Sequence, residues 1–404
     1  MTPARSLLTP AAVRARAREM LALGTAGRLT AFTVHLDRLP AAADRVVETI
    51  RQNYPDLAVP FHARWRHFCF GGRDLWQERT AELSDAFGQA RAAFDLAIVS
   101  VLLDAGAGMA WRYRDAALGI EAARSEGLAL ASLRLFESGA LSLRPSEPFR
   151  ADAARLALIE PADIAAAFQV TEANPLVGVE GRAALLNALG RAAARLPGAR
   201  PGGLFDGLVN AAARTGEGRN ALPAPAILAA VLHHLGPIWP SRITLDGVPL
   251  GDTWRHPLIA GDDPATAGLV PFHKLSQWLS YSLIEPLQAA GIAVTDIDGL
   301  TGLPEYRNGG LFVDTGVLAL RDPAMAGAAN TVDAPLVVEW RALTVALLDA
   351  IAPLVRERLG KTEAQFPLAC VLEGGTWAAG RRLAAERRPD GGSPIRVISD
   401  GTVF

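Results

Sequence analysis

The sequence predicts a mainly α-helical protein with a few short β-hairpins. Three observations carry this. Alanine-rich segments with apolar residues at three- and four-residue steps recur along the whole chain of 404 residues. Strand-like patterning is confined to two short stretches. Strand and helix signals do not alternate regularly, which argues against a doubly wound sheet or a barrel.

In chain order, the spacing predicts helices over 11–23, 40–53, 80–103, 182–196, 224–235, 271–289 and 336–358. Pro40 suits a first helical turn, and Pro271 precedes FHKLSQWLSYSLIEPL, whose apolar residues keep the helical step. Pro353 lacks a backbone donor and is expected to kink or end the last helix. SRITLDGVPLGD (241–252) reads as a hairpin turning at Asp246-Gly247, and IRVISDGTVF (395–404) as another turning at Asp400-Gly401. The two are candidates to pair in one small sheet. No internal repeat or low-complexity segment interrupts the pattern. Punctuation at Pro145-Ser146-Glu147-Pro148 and LPGARPGG (196–203) suggests an N-terminal helical region, 1–145, and a helical region with small hairpins, 146–404. Both are expected to contribute to one site.

Half of the residues are hydrophobic and 20% are charged, so the chain can bury a large core and is not disordered. Forty basic residues against 42 acidic ones give a net charge of −2. That balance supplies no electrostatic footprint for nucleic acid or an anionic membrane, while leaving room for a local basic pocket that holds a small phosphate. Cys69 and Cys370 are two thiols far apart, which suits a reducing compartment rather than a disulfide framework. Arg14, Arg16 and Arg18 stand where a signal peptide needs an apolar run. The most apolar stretch, Leu96 to Leu103, is bracketed by Asp95 and Asp104 and is about half the length needed to span a bilayer. A cytoplasmic protein is expected.

Several motifs fail on inspection. Gly360-Lys361-Thr362 resembles the end of a phosphate-binding loop, but the position of the loop's first glycine is Val355, and the triplet follows a helix rather than a strand. Gly106-x-Gly108 lacks the third glycine of the dinucleotide fingerprint and reads as the turn closing a helix. HExxH, paired CxxC and GxSxG are absent, and none of the seven histidines is spaced i,i+4 with another on an expected helix, so neither a metal nor an organic cofactor is expected.

Polar, glycine-rich loops stand out against the alanine-rich background. GLTGLPEYRNGGLFVDTGVL (299–318) gathers Glu305, Tyr306, Arg307, Asn308 and Asp314 in a turn-forming stretch. A carboxylate beside arginine can face a developing cation or orient water, although an exposed salt-bridged loop would look the same. In PFHKLSQWLSYSL (271–283), His273, Lys274 and Gln277 share a helical face near an N-terminus that favours an anion; a capped amphipathic helix reads equally well. DAGAGMAWRYRD (104–115) and ARSEGLALAS (123–132) offer Asp104, Trp111, Arg112, Tyr113, Arg124, Ser125 and Glu126, arginines for phosphate and aromatics for a planar group, or structural ion pairs. Gly374-Gly375-Thr376 in LEGGTWAAGRR (372–382) opens a helix that carries Arg381, a possible anion cradle or an ordinary cap. Asp252, Trp254 and His256 in LGDTWRHP (250–257) suit a loop anchor or a pocket wall.

These segments, together with FHARWRHF (61–68), DLAIVSVLLDAGAGMAWRYRD (95–115), RSEGLALASLRLFESG (124–139) and PFHKLSQWLSYSLIEPL (271–287), resemble blocks of the uracil-catabolism protein family. That family is the fourth gene product of the reductase-independent pyrimidine-degradation pathway of fungi and bacteria. LTGLPEYR followed by GVL, with HKLSQWL before it, is also similar to the queuosine 5′-phosphate N-glycoside hydrolases, where an Asp-Tyr-Arg triplet carries the catalytic acid on a helical DNA-glycosylase-like scaffold. Here the triplet is Glu305-Tyr306-Arg307, one methylene longer, which shifts the carboxylate's reach by about 1.5 Å.

The resemblance implies a DNA-glycosylase-like helical core and a hydrolase that splits a ribosyl-urea 5′-phosphate into urea and ribose 5-phosphate. Glu305 would stabilise an oxocarbenium ion or activate water, with His273, Glu126 or Asp314 as the acid at the leaving nitrogen. Lys274, Arg307 and Arg124 would hold the phosphate. Tyr306, Asn308, Gln277, Ser125, Asp104, Trp111, Tyr113 and Thr376 would complete the substrate-binding set. The expected partners are a small sugar phosphate and other uracil-catabolism enzymes. The alternatives are an amidohydrolase or deaminase acting on a ring-opened pyrimidine nucleotide, and a non-catalytic carrier or scaffold.

Overall fold

The computed structural model describes residues 2–398 apart from 82, 84, 105, 215–219 and 240–242. It is mainly helical, as the alanine-rich spacing predicts. The longer helices are α1 (Pro10–Thr25), α2 (Leu39–Asn53), α3 (Ala86–Leu102), α4 (Arg124–Glu137), α5 (Val179–Ala193), α6 (Gly203–Ala211) and α7 (Ala224–Leu235). They continue with α8 (Lys274–Ala289), α9 (Tyr306–Asp314), α10 (Pro335–Leu359) and α11 (Ala378–Arg387), the last preceded by a π-helical stretch, Val371–Trp377. No helix among the described residues is long and apolar enough to cross a membrane. Cys69 is exposed and Cys370 is buried, and both are free thiols.

Local chemistry explains several boundaries. Thr9 caps α1 by accepting from the Ala12 N–H at 3.1 Å. Asp85 caps α3 through the Phe87 and Gly88 N–H groups, so the expected helix over 80–103 begins six residues late. Pro353 neither ends nor divides α10, which runs on to Leu359 and stops at Gly360 in the left-handed conformation. The Gly360-Lys361-Thr362 triplet is therefore the helix's C-terminal cap, with the Gly360 and Lys361 N–H groups donating back to Glu357 and Arg356. Two stretches expected as polar loops are helical: α4 and α9. Their polar residues at each start disguise apolar faces that are buried from Gly127 to Leu133 and from Gly309 to Phe312.

The chain folds as two compact units that interleave in sequence. The first gathers Met1–His62, Ser241–Gln277 and Asp296–Phe404; the second gathers Ala63–Pro240 and Trp278–Thr295. The expected division at 145/146 falls inside the second.

In the first unit, α10 is the core. Every residue from Leu336 to Leu348 is buried, as for a helix packed on all sides, here against α1, α2 and α9. Two of the buried side chains between Leu336 and Leu348 are charged. Glu339 accepts from the Thr30 N–H and hydroxyl, the Ala31 N–H and, at 3.3 Å, His256 Nε2. Burial works against its charge, but these bonds prevail and hold its pKa below the ordinary glutamate value. Arg341 forms a two-pronged pair with Asp252, both bonds 2.8 Å. The strand Thr253–Arg255 lies between those two anchors and pairs antiparallel with Leu269–Pro271. Phe32–Val34 pairs with Leu318–Leu320.

The hairpin expected at 241–252 is present over Thr244–Pro249, turning through Asp246 and Gly247, both at positive φ. The turn expected at Asp400-Gly401 lies outside the described residues. Val397–Ile398 before it pairs in parallel with Asn330–Thr331, so among the described residues the two segments do not share a sheet.

In the second unit α3 is the buried helix, and its fully buried Asp95 accepts from Arg200, the Gly202 N–H and the Ala151 N–H. Burial nevertheless raises the Asp95 pKa. Arg182 of α5 closes the C-terminal end of α3 by donating to the Leu103 carbonyl at 3.1 Å. Ala293–Thr295 adds in parallel to Asn220–Pro223.

Two measurements check this packing. Asp252→Asn should cost about 3–5 kcal/mol, because it leaves a fully buried guanidinium without its counter-charge. Thermal unfolding should show a Tm lower by on the order of 10 °C. The Arg341 charge holds the Asp252 pKa far below the usual carboxylate range against burial. Its stabilisation is therefore present above the unfolded value of about 3.9 and is lost only as pH falls through the depressed folded value. Second, a Cβ on Gly380 of α11 would overlap the Arg307 carbonyl oxygen, whereas one on Gly207 of α6 meets nothing within 4 Å. Gly380→Ala should destabilise by about 1–3 kcal/mol. Gly207→Ala should be neutral or stabilise by up to about 1 kcal/mol.

Candidate functional site

Glu305 is the N-cap of α9. Its Oε1 accepts from the Asn308 N–H at 2.5 Å and its Oε2 from the Arg307 N–H at 2.7 Å. The side chain is half-buried. Burial pushes its pKa above the ordinary glutamate value, although the two N–H donors and the charges of Lys274 and Arg307 pull the other way. Two of the carboxylate's four lone-pair directions are thereby used and two remain.

The neighbours of Glu305 divide into those that build the turn and those that carry charge and aromatic surface. Asn308 is buried and braces the turn, with Nδ2 donating to the Leu303 carbonyl at 3.1 Å and Oδ1 accepting from the Thr376 hydroxyl at 2.8 Å. Asn308 and Thr376 thus hold each other. The Arg307 guanidinium lies 4.9 Å from the Tyr306 ring centroid and 6.0 Å from that of Trp377, with Arg381 on Trp377 at 5.6 Å. Trp377 therefore carries two guanidinium groups.

At the start of α8, Lys274 is half-buried and its backbone N–H donates to Asp252 Oδ2 at 3.0 Å. His273 stands at φ 50° and is buried, with Nε2–H donating to the Leu7 carbonyl at 2.9 Å. Burial lowers its pKa, so it is neutral and serves as a structural donor. Gln277 exchanges two bonds with Thr301, Nε2 to the hydroxyl at 2.7 Å and Oε1 from the N–H at 3.3 Å. Asp314 ends α9, about 13 Å from the cap at the helical rise, in a two-pronged pair with Arg388 at 2.6 and 2.8 Å. Fold geometry thus places Glu305, Tyr306, Arg307 and Lys274 together and directs His273, Gln277 and Asp314 to structural bonds.

The π-helical stretch supplies a pair that sequence reasoning missed. His62 Nδ1 lies 2.5 Å from Glu373 Oε2, both side chains are largely buried, and the imidazole centroid is 6.0 Å from that of Trp377. A carboxylate on Nδ1 fixes the Nδ1–H tautomer and the orientation of the ring. The two residues are 311 positions apart. The available signal was that both lie in blocks of the family resemblance. Gly374 and Gly375 let the stretch approach Val59 and Val46 to distances no Cβ would tolerate.

The remaining expected residues belong to the second unit. Asp104 pairs with Arg64 at 3.0 Å. Trp111 is fully buried, donating to the Phe168 carbonyl at 2.9 Å and stacking on that ring, a core role. Tyr113 lines a groove of about 340 Å³ with Arg134 and Asp163. Arg124 is exposed, and Ser125 and Glu126 are half-buried in the first turn of α4. Among the described residues no three His, Cys, Asp or Glu side chains are grouped to hold a metal ion.

Set against known proteins, the chain is 41% identical to "Protein urg3" of Schizosaccharomyces pombe over 409 residues, covering 98% of each chain. It is 38% identical to "Uracil catabolism protein 4" of Lachancea kluyveri over 407 residues, covering 92% of each. Residues 6–404 match the family described as "Protein of unknown function (DUF1688)". With residues 6–404 matched, from the Arg14 helix through the Glu305 cap to the π-helical stretch, the chain belongs to the DUF1688 family.

Proposed function

We propose that the protein acts in uracil catabolism as an N-glycoside hydrolase, splitting a ribosyl-urea 5′-phosphate into urea and ribose 5-phosphate. The name of the Lachancea kluyveri relative supports the pathway. The observation that carries the chemistry is Glu305, a carboxylate held at a helix N-terminus by two backbone donors, its pKa raised by burial, and flanked by Lys274 and Arg307.

Breaking the C1′–N bond leaves positive charge on the sugar ring and an electron pair on nitrogen. The ionised Glu305 faces the developing oxocarbenium ion and takes a proton from the incoming water. Urea is a poor anionic leaving group, so its nitrogen must receive a proton as the bond breaks. Among the acids expected from the sequence, His273 and Asp314 are engaged in structural bonds. His62 fits the task better within the same unit, because Glu373 orients its ring beside Trp377. Lys274 and Arg307 offer cations to the 5′-phosphate. The sum is substrate plus water to urea plus ribose 5-phosphate, with no redox change.

The test is to incubate the purified protein with synthetic ribosyl-urea 5′-phosphate and follow both products by mass spectrometry. Stoichiometric release should fall by about 10²–10³ in Glu305→Gln. Intact substrate at high wild-type concentration sinks the reading. Because the working form is the ionised one, activity should drop with acid at a pH above the ordinary glutamate value of about 4.3.

The raised pKa also makes a stability statement. Glu305's contribution is full below its unfolded pKa and is lost as pH rises through the folded value. At neutral pH the charge weighs against the fold, and Glu305→Gln should melt no lower than wild type while losing activity. For the proton donor, Glu373→Gln should reduce kcat by about 10–100-fold with KM little changed. Equal kcat in that variant removes His62 from the mechanism.

A further inference from the structure

Asn308 and Thr376 are hydrogen-bonded across 68 positions of the chain, and both side chains are fully buried. The Asn308 amide is oriented by its neighbours. Its Nδ2 donates to the Leu303 carbonyl at 3.1 Å, which turns Oδ1 toward the Thr376 hydroxyl at 2.8 Å. A carbonyl only accepts, so the amide oxygen has no use for Leu303, and the single hydroxyl proton of Thr376 goes to Asn308. With that proton spent and no surface exposed, neither side chain is arranged to meet a substrate, which is the role the sequence led us to expect for both.

Each end of the bond leads to a group of the candidate site. On one side the Asn308 backbone N–H donates to Glu305 Oε1 at 2.5 Å, so the residue that takes the Thr376 proton also caps the carboxylate. On the other side Thr376 belongs to the same π-helical stretch as Glu373, whose Oε2 lies 2.5 Å from His62 Nδ1. Gly374 and Gly375 seat that stretch on Val59 and Val46, and Gly380 of α11 lies against the Arg307 carbonyl, all too close for a Cβ. Glu305, Asn308, Glu373, Thr376 and His62 all belong to the first unit. Two groups that act on one bond lose rate steeply, by about a hundredfold, when one is misplaced by about 1 Å.

We infer that Asn308 and Thr376 are positioning residues: their buried hydrogen bond locks the Glu305 cap to the stretch that carries Glu373, and so sets the reach between the Glu305 carboxylate and the His62 imidazole. The role rests on the reading of those two groups proposed above. Thr376→Val keeps the branched shape, removes the donor and leaves Asn308 Oδ1 buried without a partner. Asn308 then shifts, its N–H draws away from Glu305 Oε1, and the carboxylate loses one of the two donors that favour its charged form. Lys274 of α8 and Arg307 of α9, the charges that act on Glu305, are left in place. So are Arg341 of α10, which donates to the Pro304 carbonyl, and His62, Glu373 and Arg381 on the π-helical side.

The experiment compares the full-length wild type with Thr376→Val and Thr376→Ser in two ways. The first is the pH profile of kcat and KM on ribosyl-urea 5′-phosphate. The second needs no turnover: the carboxyl ¹³C titration of Glu305, assigned by its loss in Glu305→Gln. Thr376→Val should lower kcat about 10–100-fold with KM changed by less than about twofold. Its acid limb and its Glu305 titration should both move to higher pH by about 0.5–1 unit. Thr376→Ser restores the hydroxyl and should return kcat to within about threefold of wild type, which a loss of packing alone would not. Should Thr376→Val not melt cooperatively, Thr376→Ala, which adds no bulk against Asn308, takes the same readings. An unchanged Glu305 titration in a folded variant overturns the inference. So does a rise in KM at constant kcat, which would place Thr376 against the substrate, or a fall in kcat that serine does not restore. A wild type that leaves the substrate intact removes the proposed reaction instead, and the Glu305 titration then decides the coupling by itself.

Discussion

The buried pair between Asp252 and Arg341 is the interaction on which the first unit's site depends. Arg341 belongs to α10, the helix around which that unit is packed, and it is fully enclosed. One face of its guanidinium lies 4.1 Å from the Phe272 ring centroid, and its Nε points to the Pro304 carbonyl at 3.4 Å. Asp252 also accepts from the Lys274 N–H and from Trp254 Nε1 at 2.7 Å, while its carbonyl accepts from the Phe272 and His273 N–H groups. One ion pair thus fixes the start of α8, where Lys274 sits, and reaches the loop that ends at Glu305. Taking either charge away would leave the other enclosed without compensation, which is why such a pair holds its surroundings firmly.

Two carboxylates in this unit show how position sets chemistry. Asp252 and Glu305 both suffer burial and both accept from backbone N–H groups at the start of a helix. Asp252 has a guanidinium in direct two-pronged contact, and that outweighs desolvation, so it stays ionised at any ordinary pH. Glu305 has cations nearby but none bonded through both oxygens, and desolvation prevails. The first is a fixed charge suited to building structure. The second is shifted toward the range in which protons are exchanged, which is the property a reacting group requires.

Close backbone approach is the other constraint. Gly380 brings α11 against the carbonyl of Arg307, Gly309 lets Trp340 reach the α9 backbone with its indole N–H at 3.1 Å, and Gly374 and Gly375 seat the π-helical stretch on Val59 and Val46. The wide turn of that stretch places Glu373 at His62, Thr376 at Asn308 and Trp377 beside Arg307. π-Helical turns of this kind recur at functional sites because they re-aim side chains that a regular helix would space differently.

The sequence by itself determined the helical class, the boundaries of α2 and α7 to within a residue, and the Asp246-Gly247 turn. Each follows from local signals: apolar period, proline at a first turn, and residues that accept positive φ. The same pattern marked the segment around Glu305 and Lys274 as polar against its background. It did not reveal that the Glu305 stretch was a helix with its carboxylate as cap, since a short helix rich in glycine and asparagine reads as a turn. Only the tertiary structure decided which charges were partners. His62 finds Glu373 across 311 positions, Asp314 is engaged by Arg388, and Arg64 is enclosed with Asp104. No local rule links such residues, because burial and ion pairing are set by the elements that pack around a side chain rather than by its neighbours along the chain.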